Sequence, residues 1–273
     1  MKIAVRELLR RHLSPQAFRQ VRLWWRCRFY WPSLAASYFV KGRPIVRGLG
    51  NGQASDLVNE LRDINVLAPT EMCRVMNRHG SDKGVGGLHN YTPVYSALFG
   101  KLRGQQLRIF ELGLGSNNPW LAASMGNDGI PGASLRGWKE FFPTASVYGA
   151  DIDRNSLFEE DRIMTFYCDQ LDPDAIKQLW AQPALQGGMD VIIEDGMHTF
   201  EGSISFLDGS IDHLRPHGIY VIEDIAKTSL GRWLDELEKN YRPRFRNHEF
   251  VLVELPESFK RRDNNLLIIR RCR

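Results

Sequence analysis

The 273-residue chain has only four cysteines, at positions 27, 73, 168 and 272, and none stand in a C-x-x-C pair or at zinc-site spacing. That excludes a disulfide framework and a structural zinc site, and is expected of a reduced, cytoplasmic chain. No apolar run approaches the roughly 18 residues needed to span a bilayer. The N-terminus lacks the apolar core and cleavage site of a signal peptide, and there is no internal repeat or low-complexity tract. Net charge is small, at +4, but it is unevenly spread. Residues 1–50 hold eleven Lys and Arg against the single acid Glu7, which leaves the remaining 223 residues at −6. A nucleic-acid-binding core is therefore not expected.

What is present suits one large domain with an extension: 43% of the residues are apolar, enough for a full core. The expected division is residues 1–52 and 53–273. In the extension, arginines alternate with aromatic residues between Phe18 and Trp31. Two readings stand side by side: a helix on the anionic inner face of a membrane, or an arm packed on a partner subunit of a homo-oligomer. The Gly- and Pro-rich residues 42–52 read as a linker.

The chemistry is expected at two strand ends. Residues 189–193 are a buried strand that runs into Glu194, Asp195, Gly196, Met197 and His198, and residues 218–222 are a second that runs into Glu223 and Asp224. The stretch between them is long enough for a crossover helix, so the strands are expected to lie parallel, with Asp195, Glu223 and Asp224 converging at the carboxyl edge where open α/β sheets bind ligands. Carboxylates that close repel one another unless a cation sits between them, and Mg²⁺ is the usual solution. His198, three residues beyond Asp195, is within reach of the same substrate oxygen.

The first strand of the sheet, from Leu107, carries Glu111 and then the turn Gly113, Leu114, Gly115 and Ser116, with Asn118 and Pro119 expected to open a helix. The third glycine of a dinucleotide fingerprint is missing, because Asn118 stands in its place. Glu111 would repel a pyrophosphate yet tolerate a cationic ligand such as S-adenosylmethionine. The second strand ends at Asp151 and Asp153, where Rossmann-type folds hold ribose hydroxyls, with Asp151 the first choice. The third ends at Asp169 and Gln170, placed to meet an adenine edge. Ahead of the sheet, residues 79–95 are rich in glycine and carry Lys83, His89 and Tyr91, which read as a substrate-facing lid. Alternating strands and helices closed by a terminal hairpin make a doubly wound, Rossmann-like α/β sheet, mostly parallel.

The motifs taken together resemble a known family. The run Gly80-Ser81-Asp82-Lys83-Gly84 with His89 and Tyr91, then Glu111 to Gly115, Ser134-Leu135-Arg136-Gly137-Trp138, Asp151 to Asp153, Asp169-Gln170, Glu194 to His198 and Val221 to Asp224 is similar to the metal-dependent sugar O-methyltransferases of macrolide pathways. The cephalosporin hydroxylase-like proteins share that core. The resemblance covers about residues 79–225. It implies a methyltransferase sheet with S-adenosylmethionine at the first two strand tips (Glu111, Gly113, Gly115, Ser116, Asp151, Asp153), Mg²⁺ held by Asp195, Glu223 and Asp224, and His198 as general base. The acceptor that fits the resemblance and the basic extension is a sugar hydroxyl on a secondary metabolite, or on a surface polysaccharide or its lipid-linked precursor, and the arginine and tryptophan pattern of the extension favours the membrane-associated glycan. Glu194 and Met197 depart from the family's Asp-Asp-Gly-Ser-His, but the metal and base positions are kept. An NAD-dependent oxidoreductase on the same sheet is the alternative, opposed by the missing glycine and by Glu111. A non-catalytic scaffold is a third reading, opposed by an acid cluster that costs stability without its ion.

Overall fold

The computed structural model describes residues 42–49, 56–121, 123–256 and 263–272. The arginine- and aromatic-rich stretch, with its membrane and subunit readings, lies outside them. Among the described residues, nine strands form one sheet: β1 (Ile45–Leu49), β2 (Arg108–Leu112), β3 (Ser146–Asp151), β4 (Glu159–Glu160), β5 (Ile163–Tyr167), β6 (Met189–Glu194), β7 (Leu214–Ile222), β8 (His248–Glu254) and β9 (Asn265–Arg271). Their order is β1-β8-β9-β7-β6-β2-β3-β5-β4. The run β5-β3-β2-β6-β7 is parallel. The flanks are antiparallel: β9, β8 and β1 on one side and the short β4 on the other.

The near-continuous apolar runs of the central strands follow from burial on both faces. Ile109, Val191, Ile193, Ile219, Val221 and Ile268 point into one core, shared with α1 (Asp56–Arg62), α2 (Glu71–His79), α3 (Thr92–Phe99) and α4 (Ala133–Phe141). Their neighbours Phe110, Ile192, Tyr220, Ile222 and Ile269 point into the other, shared with α5 (Pro173–Trp180), α6 (Phe200–Ser210) and α7 (Leu230–Glu236). Side chains alternate along a strand, so a parallel sheet sandwiched between helices needs apolar residues at successive positions. Helix ends are set locally. Asp172 accepts from the Asp174 amide at 2.9 Å ahead of Pro173, and Gly80, at φ 90°, closes α2 and turns the chain towards the sheet edge.

Two expectations are corrected. The linker holds a strand, because Ile45–Leu49 pairs with β8 from Glu254 to Phe250. Gly48 is needed there, since a β-carbon on it would lie 2.6 Å from the Val58 side chain. Second, no helix opens at Asn118 and Pro119; the first helix after β2 is α4, which begins at Ala133. The Asn118 side chain accepts from the Trp120 amide at 3.1 Å, and the Asn117 amide donates to the Gly126 and Gly129 carbonyls at 2.5 and 3.2 Å. These side-chain bonds give the backbone turns in place of a helix.

Gly113 sets how closely β2 approaches the turn after β6. Its φ is +90°, and a β-carbon there would lie 1.9 Å from the Asp195 carbonyl oxygen. Gly113→Ala is therefore expected to destabilise the protein by more than about 2 kcal/mol in urea unfolding, since left-handed strain and a backbone clash add. Gly100→Ala is the control. Its φ is −57° and the space around it is open, so a neutral to slightly stabilising change is expected.

Candidate active site

The sheet ladder carries the acids to one edge. The Asp195 amide donates to the Leu112 carbonyl and the Glu223 amide to the Glu194 carbonyl, each at 2.9 Å, so the chain leaves β6 and β7 in register. Asp195, Glu223 and Asp224 converge there as expected, around two cationic side chains. The first is Lys83, whose side chain is 2% exposed. It donates to Asp195 Oδ2 and, at 2.6 Å, to Glu223 Oε2, and lies 3.6 Å from Glu111 Oε1. The second is His198, whose Nε2 is 3.2 Å from both Asp195 Oδ1 and Asp224 Oδ2.

His198 and Asp224 share an unusual backbone: both sit at positive φ, 57° and 54°. Left-handed non-glycine residues cost of order 1–2 kcal/mol each and are retained where the surroundings hold them in place. Here the turn after β6 is braced from inside the fold. Glu194, buried, accepts from the Gly196 amide at 3.1 Å and from Gln170 Nε2 at 3.2 Å, while Gln170 Oε1 accepts from the Met197 amide at 2.8 Å. A β-carbon on Gly196 would lie 1.9 Å from Gln170 Oε1, so only glycine lets that brace form.

Charge balance explains the titration of the cluster. Burial raises Glu223 well above the ordinary carboxylate range, with Lys83 opposing, and it also raises Glu111 and Asp224. Burial would raise Asp195 as well, but the Lys83 ammonium and the His198 imidazole hold it well below that range. Burial opposes charge on Lys83, yet Asp195, Glu111 and Glu223 outweigh it and its pKa rises well above normal. For His198 burial is likewise overcome by the Asp195 hydrogen bond and the surrounding carboxylates, and its pKa is raised to about 10.

The remaining expected residues are placed as follows. Glu111 is fully buried, and its oxygens accept from Ser134 Oγ and Trp138 Nε1, both at 2.5 Å, one turn apart on α4. Asp151 accepts from the Leu114 amide at 2.8 Å and from the Asp153 amide at 2.8 Å, and Asp153 accepts from the Ser116 hydroxyl. The tips of β2 and β3 are thus tied together through the Gly113 to Gly115 turn. Asp169 accepts from the Leu171 amide at 2.9 Å, and Gln170 spends its amide on the turn after β6. Residues 79–95 differ most from expectation, because they are packed in place of forming a lid. The His89 amide donates to the Asp82 carbonyl and the Tyr91 amide to the Lys83 carbonyl, each at 3.0 Å, and both rings are buried against Asp224.

Four residues of this cluster carry no role in the sequence reading, although Ser134 and Trp138 stand in one of its motifs. Tyr95 donates to Glu223 Oε1, Ser134 and Trp138 hold Glu111, and Asn264 meets His89. Ser134 and Trp138 stand four apart on an amphipathic helix, a spacing that marks one face. Tyr95 likewise follows Tyr91 by four. Asn264 carries no such signal.

Lys83→Met is expected to destabilise the chelator-treated protein by about 3–5 kcal/mol, because it strands Glu111, Asp195 and Glu223 without their cation. The loss, read from urea midpoints, is expected to grow with pH. A buried carboxyl whose pKa is raised on folding contributes fully below its unfolded pKa and loses that contribution as pH climbs through the folded one. An effect that shrinks as pH rises would contradict the assignment of Lys83 as the counter-ion.

The donor set fits a divalent ion. One ligand atom each from Asp195, His198 and Asp224 lie within 4.8 Å of one another. Glu223, bonded at its two oxygens by Lys83 and Tyr95, is linked to this group through the ammonium it shares with Asp195. Two acids beside a histidine, two of the residues in a strained backbone, are what a cation site offers and what a plain core avoids.

No family model matches the chain. Among curated proteins it is 37% identical over 142 residues to the demethylmacrocin O-methyltransferase of Streptomyces fradiae, a match covering 51% of this chain and 33% of that protein. It is 35% identical over 148 residues to the 8-demethyl-8-alpha-L-rhamnosyl tetracenomycin-C 2'-O-methyltransferase of Streptomyces olivaceus, covering 54% and 36%. To the mycinamicin VI 2''-O-methyltransferase of Micromonospora griseorubida it is 36% identical over 142 residues, covering 51% and 32%. The chain therefore spans about a third of the length of these curated relatives. Among solved structures it is similar to the MycE methyltransferase of the mycinamycin biosynthetic pathway in complex with Mg and SAH, with a TM-score of 0.57, 26% identity and coverage of 76% of this chain and 56% of that one. The same enzyme with Mg, SAH and mycinamycin VI gives a TM-score of 0.56. These relatives are methyltransferases, so the nicotinamide alternative finds no support.

Proposed function

We propose that this chain, whose core belongs to the family of sugar O-methyltransferases, transfers a methyl group from S-adenosylmethionine to a sugar hydroxyl with a divalent cation at the tips of β6 and β7. The observation that carries the reading is the meeting of Asp195 Oδ1, Asp224 Oδ2 and His198 Nε2 at one edge of a methyltransferase sheet. Asp195, Glu223 and Asp224 would hold the ion. Mg²⁺ prefers oxygen donors, so His198, whose Nε2 faces the same two carboxylates, is read as a base that would lose its own proton when the ion takes them, and not as a third ligand. Bound there, the ion supplies the Lewis acidity that makes negative charge on an alcohol oxygen tolerable near neutral pH.

The chain's own residues do the rest. His198 takes the hydroxyl proton, and its place three residues after Asp195 lets it address the oxygen held beside the carboxylates. Gly113, Gly115 and Ser116, with Asp151 and Asp153, would form the cofactor floor, with the two aspartates towards the ribose hydroxyls and Asp169 towards the adenine side, while Gln170 braces the turn after β6 and Glu111 is held by Ser134 and Trp138. S-adenosylmethionine supplies an already activated methyl group, so the fold's remaining task is to align the acceptor oxygen with it.

The acceptor we favour is a glycosylated small metabolite, because macrocin, mycinamicin and tetracenomycin name the substrates of the relatives. Incubation with S-adenosylmethionine, Mg²⁺ and a panel of glycosylated macrolides and tetracenomycins should add one methyl group to the sugar of a member, read by mass spectrometry. Calorimetry supplies the second arm. Binding of S-adenosylhomocysteine but not of NADH is expected, and the reverse would overturn the reading.

A further inference from the structure

Tyr91 forms a closed clasp on Asp224. Its hydroxyl donates to Asp224 Oδ1 at 2.5 Å and accepts from the Asp224 amide at 3.3 Å, so one side chain fixes both the carboxylate and the left-handed backbone that carries it. The Asp263 carbonyl is also 3.3 Å from that hydroxyl, but a single proton goes to the nearer, charged acceptor. His89 stacks on Tyr91, with centroids 4.7 Å apart and planes at 24°, and sets its Nδ1 3.3 Å from the same Oδ1. The tautomer follows from the neighbours. Asn264 Nδ2 donates to Asn90 Oδ1 at 2.7 Å and to the Pro256 carbonyl at 2.9 Å, which fixes Asn264 Oδ1 as the atom 3.2 Å from His89 Nδ1. Two acceptors therefore face Nδ1, and that nitrogen carries the hydrogen.

The arrangement has a direction. Both contacts go to Oδ1 of Asp224, while Oδ2 lies 3.2 Å from Nε2 of His198, whose side chain is 29% exposed. Tyr91 and His89 are themselves immobilised, at 0% and 3% exposure, by the backbone bonds of residues 82–92. A group that is to approach a soluble substrate would not be buried behind a carboxylate in this way. A group that aims a ligand would be.

We infer that His89 and Tyr91, which the sequence places with the substrate, are positioning residues that orient Asp224 Oδ2 and hold its strained backbone for the divalent cation. The inference rests on the reading of Asp224 as a ligand. Within it, the segment ahead of the first parallel strand supplies the outer support of a site built from the sixth and seventh strands, and Asn264 anchors that support to the start of β9.

Mn²⁺ uptake by the full chain, followed from the loss of the free-ion paramagnetic resonance signal, tests it. Tyr91→Phe is expected to weaken Mn²⁺ binding by about 10–100-fold. His89→Leu should weaken it by about tenfold, and His89→Asn, which keeps an amide N–H near the place of Nδ1, should bring it back to within about threefold of wild type. Affinity for S-adenosylhomocysteine should stay at the wild-type value in all three. Variants that take up Mn²⁺ like the wild type overturn the inference alone, and so does a parallel loss of S-adenosylhomocysteine binding, which would mark a general structural role. Wild-type protein that takes up no Mn²⁺ overturns the reading of Asp224 as a ligand and the inference with it. Should Tyr91→Phe fail to fold, the pair of His89 variants decides.

Discussion

His198→Asn is expected to lower the rate of methyl transfer by about 10²–10⁴-fold while leaving Mn²⁺ and S-adenosylhomocysteine binding in place. Asparagine is the right replacement because His198 sits at φ 57°, a conformation that Asn adopts readily and alanine does not. The loss then reports the imidazole and not the turn. The same residue makes a second, independent forecast. In the metal-free protein its pKa is raised to about 10, so the imidazole is charged at neutral pH, between Asp195 and Asp224. Its contribution to stability is complete below the ordinary value of 6.5 and is lost as pH rises through about 10. A divalent cation at those carboxylates competes with that proton, and uptake of the ion should release protons near neutral pH. Calorimetry in buffers of differing ionisation enthalpy measures the release, which should be smaller in His198→Asn. Full turnover by the variant would remove His198 from the mechanism.

Asp195→Asn should cost at least as much. Asp195 faces both cations, with Oδ2 on Lys83 and Oδ1 on His198, so removing its charge loosens both halves of the cluster at once. Loss of the metal's stabilisation of charge on the acceptor oxygen is worth several kcal/mol, roughly 10³-fold or more in rate. Mn²⁺ binding should fall to background, and chelator-treated wild type should show the same loss, reversed by added Mg²⁺. The fold should survive, since asparagine keeps the shape of the side chain and the backbone bond to Leu112 is untouched. Undiminished methyl transfer by chelator-treated protein would sink the metal reading outright. Glu223→Gln separates the roles further. If Glu223 is a ligand as proposed, Mn²⁺ affinity drops; if its whole task is to pair with Lys83, affinity holds while urea stability changes.

How far the site could be read in advance varied residue by residue. The strand ending in Asp195 and the strand ending in Glu223 and Asp224 were legible because an apolar run that stops at acids has few other meanings in a parallel sheet. The terminal hairpin was legible for the same reason of pattern. The strand at Ile45–Leu49 was not, because Gly and Pro on both sides read as punctuation and its partner β8 lies about two hundred residues on. The helix expected at Asn118 failed because side-chain bonds from Asn117 and Asn118 outweigh a weak local preference. Lys83, His89 and Tyr91 were recognised as too polar for filler, but whether they faced outwards or inwards was not written in their own neighbourhood.

What the chain order determines by itself is therefore periodicity: which stretches are strands buried on both faces, where they end in acids, and that a histidine follows one of them within a turn. Only the tertiary structure decides that one lysine and two rings from residues 83–91 lie behind those acids. Ion pairs and hydrogen bonds act through a few ångströms of space and are indifferent to separation along the chain. Lys83 and Glu223 meet at 2.6 Å across 140 residues, and nothing in the local pattern of either announces the other.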